Sequence, residues 1–288
     1  MASLREVIQQ THRLLESSGI PDARLEAEVL VMDLMAMRRH DIYANQEAEV
    51  GAPREQELDR KVERRLKREP LAYILGHWEF YGINLLVTPA VLIPRPETET
   101  LVEHALFMAL MGMETPQLAI ADVGTGSGAI AISMAIHLPA ARIHALDSSG
   151  GALEVASYNV RAHNVADRVA LGKGDLLEPL PDPVDLIVAN LPYLPSERIN
   201  TLQPEIQWEP REALEGGPDG LDPIKRLLSQ AAGKLMDQGI ILLELDPEQV
   251  PAVEELVHRY LPGAATSVEQ DLARLDRIFV ITRGGGKC

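Results

Sequence analysis

Between Leu118 and Leu245, short apolar runs alternate with segments of helical periodicity, and that alternation decides the architecture. Leu118–Val123, Arg142–Asp147, Arg168–Leu171, Val184–Asn190 and Gly239–Leu245 are each suited to one buried strand. Ala129–His137, Gly151–His163 and Pro223–Met236 separate most of them and read as helices. A strand, a crossover helix and a second strand make a parallel pair, and repetition of that unit gives an α/β fold with helices on both faces. Two later strand candidates, Ala265–Glu269 and Arg277–Thr282, bring the expected sheet to seven strands, mostly parallel. Gly284-Gly285-Gly286 opens a flexible tail over 284–288, and no internal repeat is visible.

Residues 1–70 follow a different pattern. Leu4, Val7, Ile8, Leu14 and Leu15 recur at near-helical spacing, and Ile20-Pro21-Asp22 interrupts them. A second helix follows through Leu25, Val29, Leu30, Met32, Leu34 and Met35. A third is expected over Arg54–Arg68, carrying Leu58, Val62 and Leu66 and stopped by Pro70. Residues 71–97 read as a connector. Trp78 to Val87 has the aromatic and β-branched character of a hairpin around Gly82, and Pro89, Pro94 and Pro96 then keep the backbone extended.

Composition narrows the partners. The 43 acidic residues exceed the 27 basic ones, for a formal net charge of −16. A protein that grips nucleic acid needs a cationic footprint for the phosphates, so the balance favours a protein or small-molecule substrate. The basic residues of 54–68 alternate with Glu55, Glu57, Asp59 and Glu63, the pattern of a solvated helix face. No run of roughly eighteen apolar residues is free of charge, so no membrane span is expected. The start, Met1 to Glu6, lacks the apolar stretch of a signal peptide. Cys288 is the sole cysteine, which excludes an internal disulfide or cysteine metal cluster and suits a reducing cytoplasm.

Chemistry concentrates at three strand ends. Asp122-Val123-Gly124-Thr125-Gly126-Ser127-Gly128 follows a strand and opens a helix, where glycines admit positive φ and let the backbone approach a ligand. Asp147 ends the next strand, about twenty residues on, where a carboxylate can accept both hydroxyls of a ribose. The glycines lack the spacing that seats a pyrophosphate, and Ala129-Ile130 replaces the lysine of a phosphate loop. A phosphate-free nucleoside such as S-adenosylmethionine fits better. Asp175 could accept from an adenine amino group or act as a simple turn acid, and Leu176 follows it on the same loop. At the third strand end stands Asn190-Leu191-Pro192-Tyr193, which offers a side-chain carbonyl, a backbone carbonyl and an aromatic face to a planar NH2 group.

On these residues the chain resembles the release-factor glutamine N5-methyltransferases. The likeness extends to Leu92-Ile93-Pro94-Arg95-Pro96-Glu97-Thr98-Glu99 and to Gly216-Gly217-Pro218-Asp219-Gly220-Leu221-Asp222. It implies a Rossmann-like methyltransferase domain over 98–283, preceded by a helical substrate-docking domain over 1–70 and a β-hairpin linker over 71–97. It implies S-adenosylmethionine as cofactor, class I peptide-chain release factors as partners, and methylation of the glutamine in their Gly-Gly-Gln motif. No membrane and no direct nucleic-acid substrate are expected. Gly124, Thr125, Gly126, Ser127 and Gly128 would bind the cofactor with Asp147, Asp175, Leu176 and Asn190. Asn190 and the Leu191 carbonyl would accept the two amide hydrogens, Pro192 would hold the backbone extended, and Tyr193 would pack on the amide plane.

The chain departs from the family where Leu191 replaces the usual proline and at Leu243-Glu244-Leu245-Asp246-Pro247, where relatives commonly place a glycine after the glutamate. Glu97 and Glu99 either shape the cofactor lid or cap a helix beginning near Thr98. His77, His104 and His137 share no metal spacing. The other enzymatic reading is a DNA or RNA amino-group methyltransferase, which can use the same Asn-x-Pro-Tyr element. A third is a binding module without catalysis.

Overall fold

The computed structural model describes residues 2–111, 117–271 and 273–284. The expected tail beyond Gly284, with Cys288, lies outside the described residues. The chain forms two compact units, residues 1–76 with 203–208, and residues 77–202 with 209–288.

The first unit is helical: α1 Leu4–Ser17, α2 Ala23–Met35, α3 Arg39–Ala44, α4 Ala52–Leu66 and α5 Leu71–Leu75. Ser3 starts α1 with a capping box, accepting from the Glu6 amide while the Glu6 carboxylate accepts from the Ser3 amide. Leu4, Val7 and Leu15 then pack with Ala27, Leu30 and Val31 of α2 and with Leu58 and Val62 of α4. The reading of the charged residues of 54–68 as a solvated helix face is corrected at Arg65. Its side chain is buried, donating to Glu26 at 2.6 Å and to Glu205 at 3.0 Å. Leu71–Leu75, read in the sequence as connector, is helix and belongs to this unit.

The second unit opens with a hairpin, β1 His77–Phe80 and β2 Ile83–Leu86. Its two-residue turn, Tyr81-Gly82, has positive φ at both positions, the geometry that matches strand twist. Then come α6 Pro96–Met111, β3 Ala119–Val123, α7 Ala129–His137, β4 Arg142–Asp147, α8 Gly150–Ala162, β5 Val169–Lys173 and β6 Val184–Ala189. The chain continues through α9 Ser196–Ile199, α10 Asp222–Ala231, β7 Leu235–Glu244, α11 Val250–Tyr260, β8 Ala265–Gln270 and β9 Asp276–Thr282. The sheet is seven-stranded in the order β5-β4-β3-β6-β7-β9-β8, parallel except for β9, which runs antiparallel to both neighbours.

Side-chain alternation builds a core on each face of this sheet. Ile120, Ile143, Leu186 and Leu242 meet α6, α7 and α8, whereas Ala121, Ile187, Ile241 and Leu243 meet α10 and α11. One boundary differs markedly from the sequence reading. The helix expected over Pro223–Met236 ends at Ala231, because Leu235 and Met236 already belong to β7. Among the described residues no helix is long and apolar enough to cross a membrane.

Candidate active site

The strand order creates the site. From β3 the chain winds outward through β4 to β5, then returns to β6 on the other side of β3. Connections leaving β3 and β6 therefore diverge, opening a crevice at their carboxyl ends. Val123 pairs with Leu146 on one side and Ala189 on the other, so Gly124, Asp147 and Asn190 emerge at one level.

A cavity of about 500 Å³ occupies this crevice. Gly124, Gly126, Asp147, Asp175 and Leu176 line it, and Asn190, Leu191 and Pro192 form another part of its wall. Thr125, Ser127, Gly128 and Tyr193 are not among its lining residues, and each makes scaffold contacts. Thr125 Oγ1 donates to Asp122 Oδ2 at 2.6 Å, the Ser127 carbonyl accepts from Asn159, and Gly128 caps α7. Gly124 is required twice over. Its φ is +75°, and an added β-carbon would come within 3.2 Å of the Leu191 side chain.

Asp147 is held by the backbone. Its Oδ2 accepts from the Gly126 amide at 2.9 Å and its Oδ1 from the Ser149 amide at 2.8 Å. Each carboxylate oxygen has a second acceptor site, so both can also take a hydroxyl. Asp175 pairs with Arg226 of α10 at 2.7 Å, and both line the cavity. Asp122 lies beneath the glycine turn, fully buried. Its Oδ2 also accepts from the Ala131 amide, while its Oδ1 has no partner, and burial pushes the carboxyl up to about 7.

Asn190 is fixed from behind by residues that the sequence did not single out for it. Its Nδ2 donates to Thr98 Oγ1 at 2.9 Å, and Thr98 Oγ1 donates to Glu244 Oε2 at 2.7 Å. Glu244, at the end of β7, is 3 % exposed, and burial pushes its carboxyl up to about 7. The Tyr193 phenol is likewise pushed up to about 12, chiefly by burial.

Two loops hold these parts in register. Gln249 Nε2 donates to the Tyr193 carbonyl at 2.9 Å, and a side chain on Gly220, whose φ is +77°, would overlap that carbonyl. The Gly216 amide donates to the Leu194 carbonyl, pinning the glycine-rich loop to the Asn190–Tyr193 segment. On the other side, buried Glu209 accepts from the Ile93 amide at 3.1 Å and pairs with Arg95, anchoring the segment whose Leu92 lines the cavity. Glu99 accepts from the Tyr81 amide at 2.9 Å and so ties the hairpin turn to α6, while Glu97 stays exposed in the first helical turn. Among the described residues no group of His, Cys, Asp and Glu side chains could hold a metal ion.

A switch-point crevice, a glycine turn, a strand-end acid and an Asn-x-Pro-Tyr segment define a Rossmann-like methyltransferase. The comparisons agree. Residues 103–217 match the methyltransferase small domain and residues 6–76 the PrmC N-terminal domain. A methyltransferase of known structure from Pyrococcus furiosus shares the fold, with a TM-score of 0.53 at 17% identity, covering 78% of this chain and 99% of that one. The release factor glutamine methyltransferase of Moorella thermoacetica is 41% identical over 98% of this chain and 99% of its own length. That of Coxiella burnetii is 38% identical over 99% of this chain and all of its own. The chain belongs to the release factor glutamine methyltransferase family.

Proposed function

We propose that the protein transfers the methyl group of S-adenosylmethionine to the side-chain amide nitrogen of the glutamine in the Gly-Gly-Gln motif of class I release factors. The names of its relatives support the substrate, and a cytoplasmic location accords with it. The observation that carries the chemistry is the orientation of Asn190. With its amino group committed to Thr98, the side chain offers its carbonyl oxygen as the acceptor.

The cavity suits a positively charged nucleoside. Asp147, Asp175, Glu212, Glu215 and Asp222 line it, against the single cation Arg226 among the lining residues. Asp147 would take the ribose hydroxyls, the open backbone at Gly124 and Gly126 would admit the methionine end, and Asp175 with Leu176 would border the adenine. When bound, S-adenosylmethionine supplies an activated methyl on a sulfonium, so neither a metal nor a strong base is needed from the protein. Asn190 and the Leu191 carbonyl would then accept the two N–H bonds of the substrate amide. An amide nitrogen is a weak nucleophile because its lone pair is delocalised. Accepting both hydrogens returns electron density to it and aims it, so these residues act by orientation and electrostatics.

Incubation with labelled cofactor and a mixture of release factor, DNA and ribosomal RNA tests the reading. Mass spectrometry should place the label on the glutamine of the release factor. Label carried mainly by nucleic acid would replace this reading with a nucleobase methyltransferase.

A further inference from the structure

We propose that Thr98 and Glu244 are positioning residues that decide which way round the Asn190 amide sits, through a directional hydrogen-bond relay from Glu244 to Thr98 to Asn190. The inference rests on the reading that the Asn190 carbonyl accepts a substrate N–H. Its basis is that a hydroxyl has one hydrogen. Thr98 and Glu244 are both buried, and Thr98 Oγ1 lies 2.7 Å from Glu244 Oε2 and 2.9 Å from Asn190 Nδ2. An ionised carboxylate only accepts, so Thr98 must spend its hydrogen on Glu244. What remains toward Asn190 is a lone pair, which only the amino half of the amide can satisfy. The amide carbonyl is thereby turned away from the relay. Turning the amide over would set two acceptors against each other in a buried site, at the cost of a lost hydrogen bond.

A proton on Glu244 removes this preference. The carboxylic acid can donate to Thr98, the Thr98 hydrogen is released toward Asn190, and the amide can then accept there with its carbonyl. The substrate would meet N–H groups where it needs acceptors. Charged and polar neighbours bear on Glu244 from each side: Thr98, Arg277 of β9 and, least, the Asn190 side chain oppose the proton, and Glu97 of α6 favours it. Tyr193, which also faces Glu244, stays neutral through this range. Burial is the largest influence and brings the titration to about 7. Neither Thr98 nor Glu244 lines the cavity, so both act through Asn190.

Single-turnover methylation of a full-length release factor, with saturating cofactor, tests the relay. The wild-type rate should fall about tenfold between about pH 8 and pH 6 as Glu244 takes its proton. Glu244→Gln, neutral throughout, should give a flat profile. Thr98→Val should slow transfer by roughly tenfold or more, with calorimetric cofactor affinity unchanged as the check on folding. Thr98→Ser, which restores the hydroxyl, should recover most of the rate. Transfer at the wild-type rate by Thr98→Val, or an unchanged pH profile in Glu244→Gln, would overturn the relay. If Asn190→Ala is slow while Thr98→Val is normal, the relay alone is wrong. Normal transfer by Asn190→Ala would remove the underlying reading as well.

Discussion

Asp147 would enter its proposed ribose-binding role already oriented, because the Gly126 and Ser149 amides fix both carboxylate oxygens. Little rotamer freedom remains to be lost on binding, so its contribution should approach that of a charge-assisted hydrogen bond. Asp147→Ala should weaken S-adenosylmethionine binding by roughly 1.5–3 kcal/mol without unfolding the protein, as calorimetry with parallel circular dichroism would show. Leu191 illustrates the opposite case. The proposal needs only its backbone carbonyl, and its buried side chain packs beside Gly124. Leu191→Pro keeps that carbonyl and further restrains Asn190, so transfer should stay within roughly tenfold of wild type in single-turnover assays. Candidates of this kind can be named from sequence because they lie in a local motif at a strand end, and the structure places both along the cavity. Thr98 and Glu244 were not legible in their relation to Asn190. They lie 146 residues apart, and Thr98 lies 92 residues from Asn190, so only the sheet order brings the three together. Thr125, Ser127 and Gly128 show the converse limit: the motif names them, whereas the Thr125 hydroxyl bond to Asp122, the Ser127 carbonyl bond from Asn159 and the Gly128 cap of α7 follow only from the fold.

Elements rather than single side chains set the shape of the cavity. The segment from Leu92 to Arg95 has no regular partner of its own, and buried Glu209 stands in for one by accepting from the Ile93 amide and pairing with Arg95. Glu209→Ala would leave a buried N–H and a partly buried guanidinium without that acceptor. A loss of about 2–4 kcal/mol in urea unfolding is expected, with faster hydrogen exchange at the Ile93 amide than at the strands of the sheet. Unchanged exchange there would mean that the segment is held by its prolines alone. The longer elements were readable because periodicity accumulates with length. Ala129–His137 and Arg142–Asp147 run between the same residues in sequence and structure. α3 and α5, with 6 and 5 residues, are too short for periodicity to separate from loop. At α10 the apolar pattern runs on into β7, and the break near Gly233 is what separates a helix from a strand there.

Across the whole chain the excess of acids makes pH the most informative variable. Glu215 is lowered to about 2, mainly by its hydrogen bond from Arg211, and Asp219 is lowered chiefly by Lys225. Groups of this kind contribute stability that is present above their unfolded pKa and lost as pH falls through the lowered one, below about pH 4. Asp122 and Glu244 behave oppositely, since burial raises both to about 7. Their contribution is complete below about pH 4 and is lost as pH rises through about 7, because the folded state then holds carboxylates that water would solvate better. Stability should therefore peak on the acidic side of neutrality and fall by about 1 kcal/mol or more between about pH 5.5 and pH 8. The proposed relay needs Glu244 ionised, so methyl transfer should rise over part of the range in which stability falls. Urea titrations at several pH values, beside single-turnover rates at the same values, separate the two effects. Asp122→Asn, which keeps an acceptor for Thr125 and Ala131, should flatten part of the stability profile while leaving the pH dependence of transfer in place. Combined with Glu244→Gln, it should flatten both. A double variant whose stability still falls as steeply as that of the wild type would show that the net negative charge of the chain, rather than these two buried acids, governs the neutral limb.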